Sequence, residues 1–331
     1  MFYVLVAAGL CLLFIGGEFL VRGAIALARR LGVSPLIIGL TVVAYGTSAP
    51  ELLVSLEANL AGSPGIAIGN VVGSNIANVL LIVGLSAAMV PITCTPGSIR
   101  LTGPVVLGAT GLLVLFGWSG AITPWAGVPM LAGLVAFTVF SYRAERARFA
   151  AGCPGASEPL MELEEFEDGP KGLPAILAAL GLGLVGVVLG SHFLITGAVG
   201  LARAFGVSEA TIGLTLVALG TSLPELATAI VAAYRRHSDV ALGNVVGSNI
   251  FNTLGVMGIV PFFGAIPVPP RMMLFDMWVM LSVTIVFIGW IMVRHGLGRV
   301  MASLFLATYG VYIACHYFGL FGLPALAALP R

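Results

Sequence analysis

Apolar residues in this chain run in long stretches separated by short polar breaks, and the first five stretches cover 2–27, 35–60, 66–90, 101–118 and 125–142. One long polar segment follows from Arg143 to Lys171, basic in its first part and acidic in its second, and reads as a linker. Five more apolar stretches come after it, at 173–201, 211–234, 240–263, 272–293 and 300–318. A membrane-spanning helix takes about 20 apolar residues, so the pattern predicts ten transmembrane helices, five on each side of the linker. The first stretch has no positive segment ahead of it and no small-residue cleavage site, so it is expected to be a span and not a removable signal.

The two sets of five contain copies of one another. Shifting the chain by 174 positions lays GVSPLIIGLTVVAYGTSAPEL on GVSEATIGLTLVALGTSLPEL and GNVVGSNIAN on GNVVGSNIFN, with 26 identities in the 47 positions from Gly32 to Asn78. An odd number of crossings makes the second copy start from the opposite face, so the copies are expected to be inverted about a pseudo-two-fold axis in the membrane plane. The expected fold class is an all-α polytopic membrane protein. Residues 1–142 form a first inverted repeat with its most similar stretch at 32–85, 143–171 form the linker, and 172–331 form a second repeat with its counterpart at 206–259.

Composition narrows the function. Of 331 residues 59% are hydrophobic and only 9% charged, against about 25% charged in a soluble domain, which excludes globular enzymes, nucleic-acid binders and disordered scaffolds. The four cysteines, Cys11, Cys94, Cys153 and Cys315, have neither metal-ligand spacing nor a disulfide framework. No cofactor, nucleic acid or obligate protein partner is expected; the bilayer is the evident surrounding. With the N-terminus outside, every Lys and Arg except Arg203, Arg271 and Arg331 falls toward an inner face. The positive-inside bias therefore predicts both termini outside and a cytoplasmic linker, in a cell inner (plasma) membrane.

A charge inside a span is costly and marks a partner or a water-filled path. Glu51 and Glu225 are such residues, each midway along the second span of its repeat and each preceded by Gly-Thr-Ser-x-Pro. Pro50 and Pro224 lack an N–H and free the carbonyls of Gly46 and Gly220, which predicts a break in each helix. Irregular backbone at membrane depth is tolerated where it is buried or lines a cavity. The half-helix that begins after each break favours an anion in its first turn, where the glutamates lie. The third span of each repeat adds a polar stripe, Asn70, Ser74 and Asn78, and Asn244, Ser248 and Asn252. Gly69 and Gly73, like Gly243 and Gly247, have the small-xxx-small spacing of close helix approach. Helices 2, 3, 7 and 8 are thus expected to be broken around one midplane site. Carboxylates, hydroxyls, amides and carbonyls without His or Cys form the ligand set of a hard cation. Two bidentate glutamates plus the carbonyls of Thr47 and Thr221 supply the oxygens calcium needs, and sodium can use the same oxygens.

GTSAPE with GNVVGSNIAN, and GTSLPE with GNVVGSNIFN, resemble the paired alpha repeats of the sodium/calcium exchanger family, within the cation/calcium exchanger superfamily. The resemblance implies that Glu51 and Glu225 are the central calcium ligands. It assigns the sodium positions to Thr47, Ser48, Ser74, Thr221, Ser222 and Ser248 with the carbonyls of Ala44 and Ala218, and Asn78 and Asn252 complete the central layer. Many members have an aspartate at the place of Asn252, so the pocket here has a formal charge of −2, which neutralises one calcium or two sodium ions. The chain lacks the large cytoplasmic insert of the animal exchangers and looks like the short prokaryotic type.

The expected function is a secondary antiporter that exchanges calcium for sodium by alternating access. Calcium/proton exchange is the alternative, because two carboxylates can hold two protons. An intramembrane carboxylate hydrolase lacks a nucleophile with an adjacent base, and a passive channel does not fit inverted repeats with midplane binding. Hydroxyl and amide residues in spans also serve as interhelical hydrogen bonds. Glu18 is expected to be neutralised by Arg22 one turn away, and Asp276 to be interfacial or paired.

Overall fold

The structure is a computed structural model that describes residues 2–93, 96–150, 170–205 and 220–317. Helix α1 (Phe2–Leu31) is followed by α2 (Pro35–Leu60), α3 (Pro64–Met89), α4 (Pro96–Gly117) and α5 (Pro124–Ala150). Then come α6 (Leu173–Ala204), α7, described over Leu223–Tyr234, α8 (Ser238–Phe263), α9 (Met272–Arg294) and α10 (Arg299–Tyr317). Seven of them, α1, α2, α3, α5, α6, α8 and α9, are long and apolar enough to cross a membrane, and shorter apolar helices cover Thr102–Gly117 and Leu223–Tyr234. Proline opens several helices, where its missing N–H costs no hydrogen bond. Gly32 (φ 63°) and Gly62 (φ 74°) follow α1 and α2 in the left-handed conformation that closes a helix.

Four two-residue strands tie the ends of the helices together. β1 (Ile92–Thr93), between α3 and α4, pairs antiparallel with β4 (Gly296–Leu297), between α9 and α10. β2 (Ala121–Ile122), between α4 and α5, pairs with β3 (Ile266–Pro267), between α8 and α9. Each pair joins a connection of the first half to one of the second.

Among the long helices α3 and α8 are the most buried, and Ile68, Val71 and Ile76 of the one and Leu242, Val245 and Ile250 of the other lie in the core. Helix α1 packs on α6 through glycine. A Cβ on Gly16 would stand 2.7 Å from the amide nitrogen of Val187, and one on Gly190 2.7 Å from that of Leu13, so backbone meets backbone there. The glycine spacing of α8 works the same way: a Cβ on Gly243 would lie 2.6 Å from the Leu36 carbonyl of α2. On α3 Gly69 faces only the Met272 side chain, and Gly73 has no described atom within 4 Å of such a Cβ.

The expected break in α3 and α8 takes another form. Asn78 (φ −57°, ψ −45°) and Phe251 (φ −65°, ψ −44°) keep helical dihedrals, and each helix runs on through a π-helical stretch, Asn78–Val83 and Phe251–Val256. No proline lies within either stretch, so the hydrogen bonding widens by one residue and does not lapse. The two other expected charge pairs are present. Glu18 accepts from Arg22 and from Arg235, which caps the end of α7 and whose Nη2 lies 2.7 Å away, and Asp276 accepts from Tyr312 at 3.1 Å and meets His316 at 2.9 Å.

Candidate functional site

The two helix breaks have the same geometry. Ser48 (φ −87°, ψ 7°) and Ser222 (φ −89°, ψ 6°) leave the helical region, and a new helix starts after each with proline in its first turn and Glu51 or Glu225 just behind it. Ser-x-x-Glu is the sequence of a capping box, in which the serine would bond its own helix. Neither serine does so. Ser48 instead donates to Glu225 Oε1 at 2.7 Å, and Ser222 to Glu51 Oε1 at 3.3 Å. Each break thus supplies the hydroxyl that solvates the other half's carboxylate.

The stripes on α3 and α8 brace the same breaks. Asn70 donates to the Glu51 carbonyl at 3.1 Å and Asn244 to the Glu225 carbonyl at 3.3 Å. Their side-chain oxygens accept from the opposite threonines: Thr221 Oγ1 donates to Asn70 Oδ1 at 3.3 Å, and Thr47 Oγ1 to Asn244 Oδ1 at 3.1 Å. Ser248 adds a second hydroxyl to Glu225 Oε1 at 3.4 Å. Glu51, Glu225, Thr47, Ser48, Ser248, Asn78 and Asn252 are fully buried, and Ser74 and Ser222 nearly so; Thr221 is half-buried.

Five oxygens on α2, α3, α7 and α8 are buried without a hydrogen-bond partner: Glu51 Oε2, Glu225 Oε2, Ser74 Oγ, Asn78 Oδ1 and Asn252 Oδ1. Leaving a buried acceptor unmade costs about 1–3 kcal/mol, more for a charged one, and two carboxylates so left, each reaching a serine of the other half, mark a position where another species supplies the missing positive charge. Neither glutamate forms an ion pair with a described residue, whereas Glu18 and Asp276, which do, lie elsewhere. No cluster of three or more His, Cys, Asp or Glu occurs among the described residues, so the donor set is two carboxylates with neutral oxygens, the chemistry of a hard cation and not of zinc or copper.

The structure therefore brings together Glu51, Glu225, Thr47, Ser48, Thr221, Ser222 and Ser248; Ser74, Asn78 and Asn252 are buried on α3 and α8, the helices that brace the two breaks. Ala44 is buried at the end of the first half of α2, where its carbonyl accepts the Ser48 N–H at 3.0 Å and the Thr47 hydroxyl at 3.3 Å. Ala218 lies outside the described residues. Sequence reasoning missed Asn75 and Asn249. These two amides join α3 to α8, Asn75 Nδ2 reaching the Asn249 carbonyl at 3.5 Å and Thr253 Oγ1 at 2.9 Å, and Asn249 Nδ2 the Asn75 carbonyl at 3.4 Å. Their side-chain oxygens accept the amide nitrogens of Asn78 (2.9 Å) and Asn252 (3.3 Å), which turns the unpartnered oxygens of those two residues the other way. The signal was the repeated Ser-Asn pair of GNVVGSN, one residue off the polar stripe.

The sodium/calcium exchanger protein family matches residues 1–143 and 175–318. The inner membrane protein YrbG of Escherichia coli is 37% identical over 284 residues, 86% of each chain. The sodium/calcium exchanger MaX1 of Methanosarcina acetivorans is 29% identical over 323 residues, covering 87% of this chain and 92% of its own. Among solved structures, the sodium-calcium exchanger NCX_Mj, soaked with sodium and strontium, superposes with a TM-score of 0.81 at 32% identity, over 95% of this chain and 97% of that one. The protein is a multi-pass membrane transporter of the antiporter type and not an enzyme; its chain belongs to the sodium/calcium exchanger family.

Proposed function

We propose that this protein exchanges calcium for sodium across the cell's inner (plasma) membrane by alternating access. The observation that carries the reading is the pair of buried carboxylates, each bonded to a serine of the other half and each left with one unpartnered oxygen. Glu51 and Glu225 are the central calcium ligands, aided by the carbonyls of Thr47 and Thr221, whose hydroxyls are engaged with Asn244 and Asn70. Sodium takes Ser48, Ser74, Asn78, Ser222, Ser248 and Asn252 with the carbonyls of Ala44 and Ala218. The two five-helix halves are inverted repeats, 1–142 and 172–331, with a cytoplasmic linker at 143–171 and both termini outside. Supporting this, β1 pairs with β4 and β2 with β3, so the end of α3 meets that of α9 and the end of α4 meets that of α8, the adjacency expected of inverted halves. YrbG is an inner membrane protein, which supports the location.

The charge of the pocket sets the coupling. Two carboxylates neutralise one calcium or two sodium ions, and uncompensated charge at membrane depth costs several kcal/mol, so calcium and sodium exclude one another. Uptake of calcium-45 into sodium-loaded proteoliposomes tests this. Calcium accumulates when an outward sodium gradient is imposed, and external sodium raises the calcium concentration needed for half-maximal uptake. Accumulation driven by an outward proton gradient alone, with no response to sodium, overturns the reading in favour of calcium/proton exchange.

A further inference from the structure

Helix α6 contributes no residue to the cluster above, yet one of its side chains reaches the break in α7. Ser191 is 5% exposed, and its hydroxyl donates to the Gly220 carbonyl at 2.8 Å. That carbonyl is the one Pro224 deprives of its helical partner four residues on. Buried without a donor, it would be an unsatisfied acceptor in an apolar bundle. A Cβ on Gly220 would run into the end of the Ile195 side chain, so α6 both holds this peptide closely and supplies its missing donor. The next two residues are Thr221 and Ser222, whose hydroxyls cross to Asn70 and Glu51.

The first half has no such device. The position equivalent to Ser191 under the 174-residue shift is Gly17 on α1, and no side chain among the described residues donates to the Gly46 carbonyl. A Cβ on Gly46 would meet the Leu184 side chain first, at 3.2 Å. The contact is therefore not a byproduct of the repeat.

We propose that Ser191 is a positioning residue of the ion site: by fixing the direction of the Gly220 peptide it aims the Thr221 and Ser222 hydroxyls at the first half. The inference rests on the sodium/calcium reading of the site. Loss of the hydroxyl leaves the Gly220 carbonyl to find another donor, and the turn that bears Thr221 and Ser222 shifts with it. The Ser222 hydroxyl serves the monovalent ion, whereas calcium depends mainly on the two carboxylates, so sodium binding weakens more than calcium binding.

Purified wild type, S191A, S191T and S191C are compared by calorimetric calcium titration, by displacement of bound calcium with sodium, and by thermal melting. S191A needs about 5-fold or more sodium to displace half of the calcium, while its calcium affinity changes less than about twofold. S191T, which keeps the hydroxyl, behaves as wild type, and S191C, a weak donor, falls between. S191C keeps the test open if S191A does not fold. Displacement at wild-type sodium concentrations in S191A and S191C, equal changes in both ion affinities, or failure of S191T to restore sodium binding overturns the positioning role. A wild-type protein that binds no calcium, or whose calcium sodium does not displace, overturns the sodium/calcium reading instead.

Discussion

Ser48 meets Glu225 at 2.7 Å and Ser222 meets Glu51 at 3.3 Å; Asn70 and Asn244 each hold the carbonyl of the glutamate in their own half; Thr47 and Thr221 each cross to the asparagine of the other. In these contacts the two halves match residue for residue, except that Ser248 adds a hydroxyl to Glu225 while its counterpart Ser74 has no partner. One layer further out they diverge. Asn70 has a second acceptor in Ser55, whose counterpart is Ala229. The Gly220 carbonyl has Ser191, whose counterpart is Gly17. Asn75 has Thr253, whereas the equivalent of Thr253 in the first half is Val79. Tyr45 of α2 stacks on Phe251 at 4.9 Å and bonds Thr138 at 2.7 Å, while the residue equivalent to Phe251 is Ala77. The groups that face the buried charges repeat, and the groups that hold them in place do not. A cation between two carboxylates needs oxygens from both sides, but the surrounding helices can fix those oxygens by different contacts.

The strongest way to break this comparison is to remove one carboxylate at a time. E51Q and E225Q each abolish calcium exchange while the protein still inserts, because each halves the pocket charge. Loss of one partner of a buried charge pair costs about 3–5 kcal/mol, or roughly 100-fold or more in affinity. Calcium uptake by either variant at a rate near that of wild type shows that the two halves do not share one site.

Whether the halves are inverted at all is an all-or-none matter. In a background where the four native cysteines are replaced, A156C in the linker is labelled by an impermeant maleimide only from the cytoplasmic side. S119C, in the turn between α4 and α5, is labelled only from outside. Labelling of both from one face removes the inversion, and with it the equivalence of the two breaks.

Within the matched layer the distances themselves differ. A charge-assisted hydrogen bond at 2.7 Å is worth more than one at 3.3 Å. S48A is expected to raise the sodium needed for half-maximal exchange about 10-fold and S222A about threefold, each with a smaller effect on calcium. Equal effects on sodium would mean that the two carboxylates rely equally on their serines.

Much of this was legible in the sequence. Hydropathy marked the helices, Gly and Pro marked the two breaks, and the cost of a charge in an apolar stretch singled out Glu51 and Glu225. The partners of Ser48 and Ser222 were not legible, since Ser-x-Pro-Glu reads as local capping and the actual acceptors lie 177 and 171 residues away. Asn75 and Asn249 stood one residue off the polar stripe, and only the packing of α3 on α8 reveals what they hold. The breaks expected in α3 and α8 failed for a local reason: without a proline inside, the backbone had no cause to give up its hydrogen bonds and took the π-helical form. Ser191 is one hydroxyl in a mostly apolar helix, beside His192 and near Thr196, and no period or motif distinguishes it from a serine turned to its own helix.

The smallest expected effect tests the divergent layer directly. Ser55 is fully buried, accepts from Asn70 Nδ2 at 3.0 Å and donates to the Ala67 carbonyl at 3.3 Å. S55A takes away one of the two acceptors of that amide and leaves the other, the Glu51 carbonyl, in place. A neutral hydrogen bond contributes about 0.5–1.5 kcal/mol net, so calcium affinity should fall by less than about 10-fold, well short of the loss in E51Q. Ala229, the counterpart, is 1% exposed and its half already functions without a hydroxyl there, so A229S should give no gain of comparable size. Calorimetric calcium titration of both variants decides the matter. A loss in S55A as large as that in E51Q would place Ser55 among the ligands and not behind them. A gain in A229S matching the loss in S55A would mean that the second half lacks a contact it needs, and that the two halves are held by one design after all.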